Sequence, residues 1–186
     1  MRAPIGSFED ACPAAERLEL LTAPVAAAVR EGWGGFPAEQ IIHVDTDPEI
    51  ADTAAFVEHH GSELLNCSAN CVVVAGKRGG EVTLAACLVL SHSRVDVNGV
   101  VRRHLDVRKV RFASMDTAVG DTGMEYGGIT PVGLPAGWPL LIDPAVVDQE
   151  WVLIGSGSRR GKLIMPGKAL AALPGAVVVA GLGIGG

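Results

Sequence analysis

Apolar residues recur at helical spacing early in the chain and then give way to runs that read as strands. Between Pro13 and Arg30, Ala14, Leu18, Leu21, Val25 and Val29 fall on one face, which predicts a helix with a joint at Pro24. Gly32-Trp33-Gly34-Gly35 ends it, and Ile41 to Val44 alternates as a short strand before the turn at Asp45 to Pro48. Asp52 is placed to cap a helix over Thr53 to His60, stopped by Gly61. His59 and His60 fall at its C-terminal end, where the macrodipole favours a charged imidazole.

Beyond this point strands dominate. Ala69 to Gly76 predicts a buried strand, Lys77 to Glu81 a polar hairpin turn, and Val82 to Ser91 the returning strand. Asp96 opens a short helix through His104, Lys109 to Ala113 is a strand, and Met115 to Val119 a short helix. Strands follow at Leu140 to Ile142, Trp151 to Ile154 and Leu163 to Met165. A helix runs from Pro166 to Leu173, then a strand over Ala176 to Ala180, with a frayed tail from Gly181. Hairpins outnumber βαβ units. The expectation is an α+β fold, with a mixed, largely antiparallel sheet or barrel-like core and surrounding helices. Residues 1–51 read as an N-terminal helical extension packed on that core, and residues 52–186 as a single globular unit.

Composition narrows the chemistry. The 186 residues are 48% apolar and 19% charged, which suits one domain with a sizeable core and excludes a disordered chain. The net charge of −6 argues against a partner made of long duplex nucleic acid. Two basic clusters remain for local RNA contact: Arg102, Arg103, Arg108, Lys109 and Arg111, and then Arg159, Arg160 and Lys162. Met1 to Asp10 has no leader pattern and no apolar run approaches a membrane span, so no membrane partner is expected. Cys12, Cys67, Cys71 and Cys87 are irregularly spaced. Cys67 and Cys71 form a close pair that lacks a second pair to complete a metal site, so neither metal nor cofactor is expected, and the compartment is read as a reducing cytoplasm.

The densest concentration of special backbone is Thr122-Gly123-Met124-Glu125-Tyr126-Gly127-Gly128-Ile129-Thr130-Pro131-Val132-Gly133. Its glycines permit positive φ and close approach, and Pro131 fixes one angle. Such a loop either connects two strands tightly or aims several N–H groups at one phosphate, carboxylate or oxyanion. If backbone does the binding, Gly128→Val should cripple function with little loss of stability.

The run Gly127-Gly128-Ile129-Thr130-Pro131-Val132-Gly133, with Thr122-Gly123 before it, Leu141-Ile142-Asp143 after it and a later turn at Gly155-Ser156-Gly157, resembles the YbaK/ProX family of aminoacyl-tRNA editing domains from about Asp52 to Leu173. The resemblance implies a free-standing, trans-acting deacylase that hydrolyses the ester at the acceptor end of mischarged tRNA in translation quality control. Asn70, Gly128 and Asp143 are then the candidate catalytic residues. Thr122, Gly123, Gly127, Ile129, Thr130, Pro131, Gly155, Ser156 and Gly157 are the candidate substrate-binding ones. Asp143 would orient water or bind the substrate ammonium, or else cap the turn at Pro144. Thr122 and Thr130 would bind substrate or satisfy the loop's own backbone, and Gly155 to Gly157 would form a second amide-rich turn or an ordinary hairpin. Family members carry a lysine at the start of the strand that here begins Ser68-Ala69-Asn70-Cys71; it aligns with Ala69, and Asn70 supplies the nearest polar side chain. The alternatives are a non-catalytic module of the same fold, binding aminoacyl-tRNA ends or a small ligand, and a thiol- or metal-dependent protein using Cys67 and Cys71.

Overall fold

The computed structural model describes residues 1–50 and 53–185. Three strands and three α-helices open the chain in an order the spacing alone does not give: β1 (Ala11–Pro13), α1 (Ala23–Glu31), β2 (Ile42–Val44) and, after α2 (Thr53–His60) and α3 (Leu64–Cys67), the long β3 (Ala69–Arg78). The single helix expected over Pro13 to Arg30 is therefore half as long. Pro24 sits in its first turn, where a missing N–H costs nothing, so it starts α1 rather than bending it. Upstream, the Ala14 amide donates to the Ile41 carbonyl at 2.7 Å, and Arg17 grips Asp10 through two hydrogen bonds of 2.7 and 3.0 Å. Tertiary pairing thus takes the segment that propensity assigns to helix. The expected Asp52 cap lies outside the described residues.

The hairpin is clean. β3 pairs antiparallel with β4 (Glu81–Leu90) from Ala69 opposite Leu90 to Arg78 opposite Glu81. Then come β5 (Arg94–Val95), α4 (Arg102–His104), β6 (Lys109–Phe112), α5 (Met115–Thr122), β7 (Leu140–Ile142), α6 (Pro144–Val147), β8 (Val152–Gly155), β9 (Lys162–Met165), α7 (Gly167–Ala171), β10 (Ala176–Val178) and β11 (Gly183–Ile184).

A five-stranded sheet runs β10-β7-β4-β3-β6, parallel at β10·β7 and β7·β4 and antiparallel elsewhere. An antiparallel four-stranded sheet runs β1-β2-β9-β8. A parallel bridge from Ser68 to Leu153 joins the start of β3 to β8. The architecture is thus α+β with a mixed sheet system; the core is two apposed sheets rather than a closed barrel. The first fifty residues contribute β2 to the interior of the second sheet, against β9.

From Ala85 to Leu90 both faces of β4 are buried, which is why that half of the strand is continuously apolar. Ala86, Leu88 and Leu90 face the main core with Val25, Val29, Leu140, Ile142, Leu163 and Met165. Ala85, Cys87 and Val89 face a third cluster with Val74, Leu141 and Leu182. A second cluster, with Phe56, Leu64, Leu153 and Ile164, packs α2 and α3 against the far face of β9. His60 belongs there: its ring stacks on Phe8 at 4.6 Å and Nδ1 lies 2.9 Å from the Ser7 carbonyl oxygen, so it is a buried packing residue rather than an exposed dipole partner.

The tail is not frayed as its glycines suggest. Leu182 is fully buried in the third cluster, Gly183 donates its amide to Asp143 Oδ2 at 2.7 Å, and β11 pairs with β5. Leu182→Ala should therefore cost about 2–5 kcal/mol, the usual range for emptying a core leucine site. A urea titration reads this directly, and a loss under about 0.5 kcal/mol would show a tail that hangs free.

Candidate active site

Between the two sheets lies a cavity of about 690 Å³. The start of β3 supplies Ala69, Asn70 and Cys71; the end of β6 and the residues after it supply Phe112, Ala113 and Met115. The glycine loop adds Tyr126, Gly127 and Ile129, β8 adds Leu153, Ile154 and Gly155, and α2 adds Phe56 and Val57. From β9 comes Lys162, the one charged side chain among the described lining residues. The walls are largely apolar, and Phe112 and Tyr126 remain exposed.

The glycine loop is held in shape by the turn between β8 and β9. Glu125 N–H donates to Gly157 O at 2.8 Å, Gly157 N–H to Gly128 O at 2.8 Å, and Gly128 N–H back to Glu125 O at 3.0 Å. The Glu125 carboxylate accepts from Ser158 Oγ at 3.1 Å and from the Arg159 amide at 2.7 Å. Arg160 in turn clamps Asp45 through Nε and a terminal nitrogen, at 2.7 and 2.5 Å, and this guanidinium holds the Asp45 carboxyl below its ordinary range. Gly161 N–H donates to Thr46 Oγ1 at 3.0 Å. Two loops and the segment after β2 thus form one hydrogen-bonded unit at the cavity's edge.

The sequence candidates separate into two groups. Asn70, Gly127, Ile129 and Gly155 line the cavity. The rest serve the scaffold. Gly128 is buried, with both its N–H and its carbonyl committed. Asp143 Oδ1 caps α6 through the Ala145 amide at 2.9 Å while Oδ2 takes Gly183 N–H, so both oxygens are spent away from the cavity. Thr122 Oγ1 donates to Ala118 O at 2.6 Å and accepts from Met124 N–H at 3.2 Å, and Gly123 is the left-handed cap of α5. Thr130 is fully buried: its amide donates to Met124 Sδ at 3.5 Å and its hydroxyl has no partner among the described residues. Pro131 faces a different hollow, beside Trp33 and Trp138. Ser156 Oγ is buried among the carbonyls of its own turn, and Gly157 is the hinge of the hydrogen bonds above. Among the cavity-lining residues of the loop, the amides of Tyr126, Gly127 and Ile129 have no described acceptor.

One expectation about charge changes. Arg160 is paired with Asp45, Arg159 reaches Pro48 O at 3.3 Å, and Lys162 is buried, so the second basic cluster is not a free patch. The first stays exposed, with Lys109 and Arg111 on β6 itself, whose Phe112 lines the cavity. Cys67 and Cys71 pack into different apolar clusters, and among the described residues no three His, Cys, Asp or Glu side chains gather as metal ligands. Burial pushes the Cys71 thiol up, and the Cys87 thiol to about 12, so both are protonated and inert as nucleophiles.

Sequence reasoning grouped Lys162 with its arginine neighbours. The available signal was a lysine opening the otherwise apolar strand Lys162-Leu163-Ile164-Met165. Its residue is 9% exposed, and Nζ stands 5.8 Å from the centroid of the Phe56 ring.

Comparison with known proteins bears on the same region. The profile of the aminoacyl-tRNA editing domain family matches residues 47–173. No curated protein matches the chain. A solved structure described as a proposed trans-editing enzyme for prolyl-tRNA synthetase superposes with a TM-score of 0.69 at 22% identity, covering 88% of this chain and 99% of the other. A scaffold protein from work on epitope grafting by computational design gives 0.71 at 21%, covering 88% and 97%. A hypothetical protein gives 0.62 at 23%, covering 76% and 90%. At these identities the structures share the fold. No helix among the described residues is long and apolar enough to cross a membrane. The profile match spans the hairpin, the glycine loop and the turn that locks it, and the chain belongs to the aminoacyl-tRNA editing domain family.

Proposed function

We propose that the protein is a deacylase acting in trans on mischarged tRNA in the cytoplasm. The observation that carries this reading is the cavity itself, an apolar chamber edged by a hydrogen-bonded glycine loop whose cavity-lining residues Tyr126, Gly127 and Ile129 keep uncommitted amides. An aminoacyl ester is already activated, so a site need only hold it beside water and stabilise the oxyanion. Water adds to the ester carbonyl, the tetrahedral oxyanion takes hydrogen bonds from the loop amides, and the bond to the ribose oxygen breaks. That oxygen leaves with the proton given up by water, and free amino acid and tRNA result. The exposed Asn70 amide on the facing wall positions the water or the ester. Lys109 and Arg111, on the edge strand beside the opening, meet the acceptor phosphates.

The test is hydrolysis of a panel of mischarged tRNAs by the purified protein. One or more should be deacylated, and Asn70→Ala should slow that reaction at least tenfold, equivalent to about 1.4 kcal/mol of transition-state stabilisation. An unchanged rate removes Asn70 from the mechanism. Ala69, which leaves the β3 wall uncharged, favours the second reading, a module that binds aminoacyl-tRNA ends without cleaving them. Binding of an aminoacyl-adenosine analogue with no hydrolysis across the panel would establish it.

A further inference from the structure

Strand β9 alternates. Leu163 and Met165 enter the main core, while Ile164 enters the second cluster beside Phe56. Lys162, two residues before Ile164, shares the Ile164 face and is directed to the same side. Its backbone pairs with Gly155 and Val44, a role any residue could fill. Its side chain reaches the cavity over the Phe56 ring, and no acceptor among the described residues takes a hydrogen bond or ion pair from the ammonium. Burial pushes its pKa down, and the like charge of Arg159 adds to this.

An unpaired ammonium in a mostly apolar chamber is costly, and a methionine would fill the same volume without that cost. What offsets the cost must come from outside the chain, and a cation unsatisfied within a cleft is placed for a ligand. The Ser68–Leu153 bridge sets the start of β3 next to β8, and Lys162 lies across β8 from it, opposite Gly155. Two strand spacings, about 10 Å, separate these two backbones with β8 between them, so a ligand lying over β8 in the cavity can reach both. Gly155 is itself packed against the carbonyls of Gly128 and Ile129, so the lysine stands close to the glycine loop.

We propose that Lys162 is the substrate-binding cation of this site, holding a negatively charged oxygen of the aminoacyl-adenosine end. The inference rests on the deacylase reading, and the oxygen is either the 5′-phosphate of the terminal nucleotide or the oxyanion formed at the ester. The Phe56 face beneath the ammonium keeps it aimed while leaving its donors free.

The experiment compares wild type with Lys162→Met, using as substrate the mischarged tRNA that the panel shows to be hydrolysed and two non-hydrolysable probes, 3′-aminoacylamino-3′-deoxyadenosine with and without a 5′-phosphate. The variant should melt no lower than wild type and lose at least thirtyfold in deacylation rate. A drop in affinity of tenfold or more for the phosphorylated probe alone identifies the phosphate; unchanged affinity for both probes with the rate lost identifies the oxyanion. An unchanged rate with unchanged affinities overturns the proposal. So does a rate loss that merely follows a lowered melting temperature, since the ammonium would then be structural. If wild type deacylates nothing, the deacylase reading fails by itself. Lys162 is then judged on the phosphorylated probe: tenfold weaker binding to the variant supports an anion-holding lysine, and equal binding overturns it.

Discussion

Gly128→Val should lose both activity and stability, with a fall in unfolding free energy of about 1–3 kcal/mol, the range for forcing extra carbon into a packed site. A Cβ on Gly128 would stand 2.5 Å from the carbonyl carbon and oxygen of Ser158 and 2.9 Å from the Gly157 carbonyl carbon. Those atoms are backbone and cannot rotate aside. The turn carrying them is fixed by the Gly157–Gly128 and Glu125–Gly157 hydrogen bonds, by Glu125 on Ser158 and Arg159, and by Arg160 on Asp45. The clash is mutual, because a Cβ on Gly155 would meet Gly128 O at 2.5 Å. Relief requires the two loops to part, which removes the shape that holds Gly127 and Ile129 at the cavity. The sequence alone suggests that this variant spares stability, since a glycine in a loop reads as a ligand contact. Packing against another backbone is the feature that reading lacks. Denaturant midpoints and deacylation rates of the variant check the pair of effects. Wild-type values in both would mean the loops do not pack as described.

What was legible in the sequence follows what leaves a periodic or conformational mark. The β3–β4 hairpin was legible because burial on both faces of β4 from Ala85 to Leu90 demands an unbroken apolar run, and because Gly79-Gly80 marks the turn. The strands nonetheless run on through Lys77, Arg78 and Glu81, which the sequence assigns to the turn. The glycine loop was legible through residue types that few other conformations need. The segment from Pro13 to Thr22 was not, because its helical spacing loses to pairing with Ile41 and Ile42, contacts remote in sequence. At the site, residue type reveals capacity but not direction. Asp143 has the carboxylate a hydrolase wants, yet spends one oxygen on α6 and the other on the tail. Ser156 has a hydroxyl, yet turns it into its own turn. Lys162 was visible as a charge and hidden as a direction, since only the strand alternation next to Ile164 tells that it faces inward.

His43 carries the second large effect, and it concerns acid. It lies on β2 opposite Cys12 and Leu163, is 1% exposed, and neither ring nitrogen has a partner among the described residues. Packing around it is close enough that a Cβ on Gly161 would come within 2.4 Å of Nε2. Burial pushes its pKa below the ordinary 6.5, and the nearby Asp45 charge offsets only part of this. The unfolded chain therefore binds a proton near pH 6.5 that the folded chain refuses until a lower pH. Stability is full above that value and falls on acidification, until the folded ring protonates in its turn. Within the window the slope approaches about 1.4 kcal/mol per pH unit, one proton's worth. Urea midpoints measured from pH 7.5 to 5 should fall steeply for wild type and less steeply for His43→Leu, which has no proton to refuse. The Asp45 carboxyl, held below its ordinary value of 3.8, releases its own stabilisation only at lower pH and leaves this window to the histidine. Parallel curves for the two proteins would show that His43 takes up its proton equally well folded and unfolded, which demands an acceptor for the imidazolium inside the β2–β9 sheet.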